Sequence, residues 1–356
     1  MIQFRKTYQL VNYLMNGIWI IMLHIALISI PYTISKQINT PWIDKVNSLF
    51  LTQKHDLDTN MLVRTNNQLK YVLEYQYGDP SPAEQAHLEA INYARLHPFA
   101  EADRLGIYLF EGIENSDITG FPVQPLTFNL KLYNAAKQHA VDMIVYDYFD
   151  HTSLDGKTPF DRMINAGYSY NAAGENIAYY GSTGPIDRNK IVVDMHDELF
   201  IDDDIEGRGH RVNILYPSFK EIGIGSAFGS YKKYPNSCML TCDFGLSNYP
   251  YISFILGVVY NDKNGNDFYD PGEGLNDIAI SISSEDSQTL SIKTASAGGY
   301  GVPVSPGTYI VSCTLPDDSK KSQSITMVDK NIKVDFIMSD KNDAEDSLCF
   351  ILLTTW

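Results

Sequence analysis

Two histidines and two glutamates stand close to element boundaries in this sequence: His151 in "FDHTSLDGKTPFDRM", Glu175 in "AAGENIAYYG", Glu198 in "MHDELF" and His210 in "GRGHRVNIL". Imidazole nitrogen and carboxylate oxygen both suit zinc-like ions, and the same groups can share protons. A cleft that brings them together could therefore bind a metal or carry acid–base chemistry. Taken singly they have plainer readings. His151, after Asp150, could be a C-terminal helix histidine favoured by the helix dipole, and His210 a loop residue beside Arg211. Two histidines are also one protein ligand short of a usual catalytic zinc site unless a glutamate coordinates.

A second set of oxygen donors lies further on, in "DKNGNDFYDPGE". With Asp262 at position one, Asn264 falls at three, Asn266 at five, the Phe268 carbonyl at seven, Asp270 at nine and Glu273 at twelve. That is the ligand spacing of a calcium loop, which needs six to eight oxygens around a hard dication. Position six, glycine in an EF-hand, is Asp267 here, and the flanking segment reads as a strand and not a helix. The expectation is a calcium loop that stiffens a strand connection.

The elements that must position these residues can be read from periodicity. In "GDPSPAEQAHLEAINYARLHP", Ser81 caps a helix, Pro82 fits its first turn and Glu84 completes a reciprocal capping box. The helix should stop near His97, ahead of Pro98. Leu132, Ala136, Ala140 and Met143 form one apolar stripe of a second helix that starts after Asn129 and runs to about Phe149. His139, near that stripe, reads as a satisfied core histidine. A third helix is expected from about Asp187 to Phe200, with Val192, Met195 and Leu199 inward and His196 and Glu198 flanking them.

Alternation then takes over. "EIGIGSAF" and "CMLTCDFGL" read as paired strands joined around Pro235 and Asn236. Cys238, Leu240, Cys242 and Phe244 share one face. At ~3.3 Å per residue the two cysteines are about 13 Å apart and cannot bond to each other, so they read as buried thiols acting as small hydrophobes. Helices followed by strands give an α+β domain over 80–248, and from Ile252 to about 340 every recognisable element is a strand, which indicates a β-sandwich.

The chain of 356 residues is roughly two domains' worth. Its net charge of −16, without a basic stripe, argues against a nucleic-acid partner. Arg5 and Lys6 precede an apolar run from Gly17 to Ile34, so residues 1–35 are expected to direct export, as a cleaved signal or as an anchor that attaches the chain to a membrane. Residues 36–79 carry no motif and read as a linker or lead-in. The tail 341–356, ending in "SLCFILLTTW", is too short to span a bilayer.

Across Pro80 to Leu246 the sequence resembles the CAP superfamily (SCP/PR-1-like domains). The resemblance rests on "INYARLHP", "FDHTSLDGKTPFDRMINAGY", "GENIA" and "GRGHRVNILYPSFKEIGIG", with "TCDFG" at its end. It implies a three-layer α-β-α sandwich with a cleft of two histidines and two acidic residues. His151, Glu175 and His210 match by motif, Glu198 is the candidate for the second acid, and His196 is its alternative. Asp161 and Arg162 read as a structural pair holding the turn. The second domain resembles the bacterial surface B-type repeat, a calcium-dependent immunoglobulin-like β-sandwich of adhesins, through "GVVYNDKNGNDFYDPGEGLNDIAISI" and "GGYGVPVSPGTYIV".

These readings point to a secreted or cell-surface protein. The resemblance implies a CAP cleft that holds zinc or another divalent metal and an extracellular ligand, whether lipid, peptide or glycan, attached to a calcium-stabilised sandwich. The alternative is a metal-dependent hydrolase in which His151 and His210 hold the metal and Glu175 is the general base. No serine or cysteine nucleophile stands in a persuasive motif.

Overall fold

A computed structural model of the protein describes residues 74–113, 118–203, 205–249, 252–284 and 289–339. The segment expected to direct export, most of the 36–79 lead-in and the 341–356 tail lie outside the described residues.

The first domain runs α1 (Pro82–Leu96), α2 (Pro98–Leu105), β1 (Thr127–Phe128), α3 (Leu130–Val145), α4 (Pro159–Asn165), β2 (Tyr170–Ser182), α5 (Arg188–Ile201), α6 (Gly209–Leu215), β3 (Glu221–Tyr231) and β4 (Tyr234–Ser247). Helix α1 starts where its sequence demands. Ser81 accepts from the Glu84 amide and Glu84 reaches back to the Ser81 amide, satisfying two orphan donors. Glu84 also accepts from the amide and hydroxyl of Ser226 on β3, so the same cap pins α1 to the sheet. Helix α3 ends at Val145, earlier than the apolar run suggested, because Asp147 turns into the left-handed region at φ 57°. Asp187 caps α5 by accepting from the amides of Asn189 and Lys190.

The sheet has the order β1-β3-β4-β2, with β1 parallel to β3 and the rest antiparallel. Its two faces follow the alternation in the sequence. Ile222, Ile224, Cys238, Leu240, Cys242 and Phe244 pack against Leu88 and Ile91 of α1 and Val192, Met195 and Leu199 of α5. On the other face Ala227, Met239 and Ile177 meet Ala140 and Met143 of α3. Cys238 and Cys242 are free and buried, as expected of thiols used as hydrophobes. Helix α3 lies so close to β3 that a Cβ on Gly223 would stand 2.1 Å from the Leu132 carbonyl carbon, and one on Gly225 would stand 2.4 Å from Lys137 backbone atoms. The β3–β4 turn falls at Lys232 and Lys233, with Lys232 at φ 50°, and not at Pro235 and Asn236. Pro235 is accommodated at the start of β4, where the β3 pairing is irregular and no ladder bond is lost.

The second domain comprises β5 (Ser253–Asp262), β6 (Ala279–Ser284), β7 (Thr289–Lys293), β8 (Gly299–Val304), β9 (Gly307–Thr314), β10 (Lys320–Met327), β11 (Ile332–Lys333) and β12 (Phe336–Ser339). One sheet is β10-β9-β6-β7; in the other, β5 pairs with β8, β11 and β12. Ile255, Val259, Ile280, Ile282, Tyr300, Val311 and Phe336 form a core shared by both, consistent with the expected sandwich.

Strand β5 is an unbroken hydrophobic run because both of its faces are buried. Ile255 and Val259 face the sandwich core, whereas Val258 and Tyr260 pack with Ala86 of α1 and Val193 of α5. Phe254 meets Tyr75, whose hydroxyl donates to the Phe128 carbonyl at 2.6 Å. Residues 74–79, expected to belong to a linker, thus form a strap between the two domains. Lys333 of β11 completes the join with a 2.8 Å ion pair to Glu89 of α1.

The fit of α3 on β3 makes a testable demand. Gly223→Ala inserts a methyl group where only backbone can give way, and should lower stability by about 2 kcal/mol. A fall in the urea unfolding midpoint would register it; an unchanged midpoint would mean that α3 can lift from the sheet at no cost.

Candidate functional site

His151 and Glu175 meet directly. The His151 Nδ1 lies 2.7 Å from Glu175 Oε1, and Arg162 donates through Nη2 to Glu175 Oε2 at 2.5 Å. Glu175 does not stand at an element boundary, as expected, but in the middle of the long strand β2. The neighbouring Gly174 serves close approach instead: a Cβ there would come within 3.0 Å of the Asn213 side chain and 3.2 Å of Phe219. His151 itself sits in the loop between α3 and α4, and its outer ring edge is exposed.

His210 lies in the first turn of α6, whose N-cap Arg208 takes a left-handed φ of 51°. Its Nδ1 lies 2.7 Å from Asp202 Oδ1, and its backbone amide donates to Asp202 Oδ2 at 2.8 Å. Asp202 is buried and forms the left-handed C-cap of α5 at φ 54°. Helix α6 is tied to β2 beside Glu175. Asn176 donates to the His210 carbonyl at 3.0 Å, and Asn213 donates to Asn176 Oδ1 at 2.9 Å and to the Glu175 carbonyl at 3.3 Å. The structure thus joins His151 to Glu175 directly, and ties the backbone of His210 to Asn176, the next residue of β2.

The two histidines are held in the same manner, each with Nδ1 on a buried carboxylate. With that nitrogen engaged as an N–H donor, the neutral ring presents Nε2 as its acceptor or ligand atom. The acids thus orient the imidazoles. Asp202, missed in the sequence, could have been sought by looking for a carboxylate at the end of the helix that precedes "GRGHR".

The other acid candidates lie elsewhere. Glu198 is exposed on α5, and its backbone carbonyl accepts the Asp202 amide that ends the helix. His196 is fully buried and gives Nε2 to Glu101 Oε1 at 2.8 Å, packed edge-on against His87. Helical geometry explains both placements. The residues flanking the inner stripe of α5 point toward α1 and α2 or toward solvent, while the acid that reaches His210 comes from the cap. His139 is a core histidine as expected, with Nε2 on the Asp150 carbonyl at 3.0 Å and its basicity lowered by burial.

Arg162 and Asp161 divide their work. Asp161 closes the Thr158 capping box, whereas Arg162 donates to the His151 carbonyl at 2.8 Å and to Ser153 Oγ at 3.1 Å besides holding Glu175. Opposite Glu175 on β4 lies Asp243, fully buried, with neither oxygen paired to a hydrogen-bond donor. Burial first, and then the charge of Glu175, hold its carboxyl well above the usual carboxylate range, so it keeps a proton. A cavity of about 190 Å³ lies under the 74–79 strap, lined by Tyr75, Asn129, Lys131, Tyr168 and Tyr249, and no predicted site residue borders it.

The calcium-type loop closes on its own oxygens. Asp262 accepts from the amides of Gly265, Asn266 and Asp267, and Glu273 accepts from those of Lys263 and Asp270. Asp270 Oδ2 takes the side-chain amides of Asn264 and Asn266 at 2.7 and 2.8 Å. Asp267, at the position glycine usually holds, adopts φ 62°, a conformation that aspartate tolerates better than most residues. Phe268 turns its ring outward onto Tyr93 of α1 at 5.3 Å.

Residues 88–244 match the sequence profile of the CAP family, the cysteine-rich secretory protein family. They form a CAP domain of bacterial type. The protein YkwD of Bacillus subtilis (strain 168) is 37% identical over 103 residues, 29% of this chain, and this chain spans only 35% of that relative's length. Two solved structures are similar: an extracellular protein containing an SCP domain from Bacillus anthracis str. Ames, and an outer surface protein from Borrelia burgdorferi. The first is 24% identical, with a TM-score of 0.26, over 35% of this chain and 34% of its own. The second is 19% identical, with the same TM-score of 0.26, over 35% of this chain and 80% of its own. Among the described residues no helix is long and apolar enough to cross a membrane.

Asp243 makes the site's surroundings sensitive to pH. An unfolded chain releases this proton near pH ~3.9, whereas the folded chain keeps it. The native state then binds more protons, and stability falls as pH rises from about 4 toward the raised native value. Asp243→Asn should melt at a higher temperature than the parent at neutral pH, and the difference should close at about pH 3.5, below the unfolded value. A difference independent of pH would contradict a protonated Asp243.

Proposed function

We propose that the CAP domain takes a zinc-like ion on His151 and His210 and uses it to hold an extracellular ligand, a lipid, peptide or glycan, in an exported protein whose second domain is stabilised by calcium. The observation that carries this reading is the matched pair of carboxylate-held imidazoles, Glu175 on His151 and Asp202 on His210. Metal-ligating histidines are commonly supported in this way, because the second carboxylate contact sets the tautomer and raises ring basicity.

The donor chemistry fits the ion. Two imidazole nitrogens suit zinc, and a site with only two protein ligands leaves coordination positions for water or a ligand group. When bound, the ion would supply Lewis acidity at those positions. The protein's own residues do the rest: Glu175 and Asp202 orient the rings, Arg162 pairs with Glu175 and fixes the His151 loop, and Asn176 and Asn213 lock α6 to β2. Export is supported by the apolar N-terminal run and by the secretory character in the family's description.

In the second domain Asp262, Asn264, Asn266, the Phe268 carbonyl, Asp270 and Glu273 would hold calcium. All are hard oxygen donors, and half a turn of the Asn264 and Asn266 amides replaces nitrogen with oxygen on the side facing Asp270. The domain is read as a B-type immunoglobulin-like sandwich of the kind used by surface adhesins.

Equilibrium dialysis of the metal-free protein with zinc tests the first site. Single His151→Ala and His210→Ala substitutions should each remove one equivalent of micromolar zinc, and Asp202→Asn should weaken that equivalent roughly tenfold by removing the charge that supports the ring; a stoichiometry and affinity unchanged by all three would end this reading. Zinc-dependent turnover of peptide or ester panels would move the site to the hydrolase class instead. For the loop, chelation should lower the melting temperature, and Asp262→Ala should remove that difference. A melting temperature indifferent to chelator would count against calcium.

A further inference from the structure

A second group of ligand-type side chains lies apart from the His151 site. Glu101 of α2, with His196 and Asp197 of α5, places one ligand atom each so that all three lie within 4.8 Å of one another. Glu101 and His196 form a buried floor, whereas Asp197 stands on the rim with its side chain about a third exposed. The floor is rigid. His196 is fixed edge-on against His87, ring centroids 5.8 Å apart, and its Nδ1 has no hydrogen-bond partner.

One cation already occupies the mouth. Arg104 donates through Nε and Nη2 to Glu101 at 2.9 and 2.8 Å, and its Nη1 and Nη2 reach both oxygens of Asp197. Its side chain is 48% exposed, so the guanidinium covers the group from the solvent side. Burial would raise the Glu101 carboxyl, yet the hydrogen bonds from Arg104 and His196 hold it down to about 2. Two carboxylates face one guanidinium. A divalent ion would neutralise both carboxylates and take the His196 Nε2 as a ligand in place of its contact with Glu101, the ring proton shifting to the unpartnered Nδ1.

We propose that Glu101, His196 and Asp197 form a divalent-cation site of zinc class, in which the Arg104 side chain stands in for the ion and swings outward when the ion binds. One imidazole and two carboxylates are a common zinc donor set, and a fourth position would remain for water where Arg104 now lies. Ligand atoms around tetrahedral zinc stand about 3.4 Å apart at the usual bond lengths, so the 2.8 Å contact between His196 and Glu101 must open while Asp197 adjusts on the rim. The ions compete directly: losing Arg104 should strengthen metal binding even though it removes two ion pairs.

The test uses the full chain carrying His151→Ala and His210→Ala, so that zinc and cobalt bound by the other cleft do not register. Titration calorimetry with zinc, and the visible absorption of bound cobalt, should show Arg104→Ala binding at least about tenfold tighter than its parent. Adding Asp197→Asn, a near-isosteric change on the exposed rim, should reverse that gain, and His196→Gln should remove the cobalt spectrum. Arg104→Met keeps the aliphatic stem and serves if the alanine variant melts. Equal zinc affinity with and without the guanidinium, or tight binding that Asp197→Asn leaves intact, would overturn the proposal.

Discussion

The first domain's site depends on one buried carboxylate. Glu175 in mid-strand β2 receives His151 from the loop before α4 and Arg162 from α4 itself, while its own carbonyl and the next side chain receive α6. Two stretches of chain, 151–162 and 210–213, are thereby fixed to one strand position. A buried carboxylate is tolerable only with such partners, since its desolvation must be offset by charge-assisted hydrogen bonds. The same requirement that stabilises Glu175 therefore positions His151.

That arrangement needs a sheet that does not yield. Helix α3 presses on β3 across two glycines, and on the opposite face α1 and α5 pack over the cysteine and isoleucine side chains of β3 and β4. The second domain extends this rigidity. Its first strand is covered on one face by its own core and on the other by α1, α5 and the 74–79 strap. The ring of Phe268, from the calcium-type loop, rests on Tyr93 of α1, so the loop's order and the helix's packing are in physical contact. The two domains are parts of one packed body.

Local signals in the sequence were a good guide wherever a short segment satisfies itself. The Ser81–Glu84 capping box, the Asp187 cap, the apolar stripe of α3 and the shared face of Cys238, Leu240, Cys242 and Phe244 all follow from spacing of a few residues. Signals failed where a residue serves a distant neighbour. Glu175 was expected near an element boundary but lies in mid-strand, where Gly174 makes room for Asn213 and Phe219, and Pro235 looked like a turn residue but sits at a strand irregularity beyond the Lys232–Lys233 turn.

The amino-acid order by itself determined which histidines sit at element boundaries, where the helices begin, which strand faces are apolar and which oxygens of 262–273 fall at calcium spacing. Only the tertiary structure decided which acid meets which imidazole. Glu198 and His196 sit on α5 at the right distance along the chain, but helical pitch sends one to solvent and the other to Glu101. The partner of His210 is instead Asp202, delivered by a left-handed cap that folds the chain back on itself. Side-chain direction across separated elements is set by packing of the whole sheet, and no local spacing encodes it.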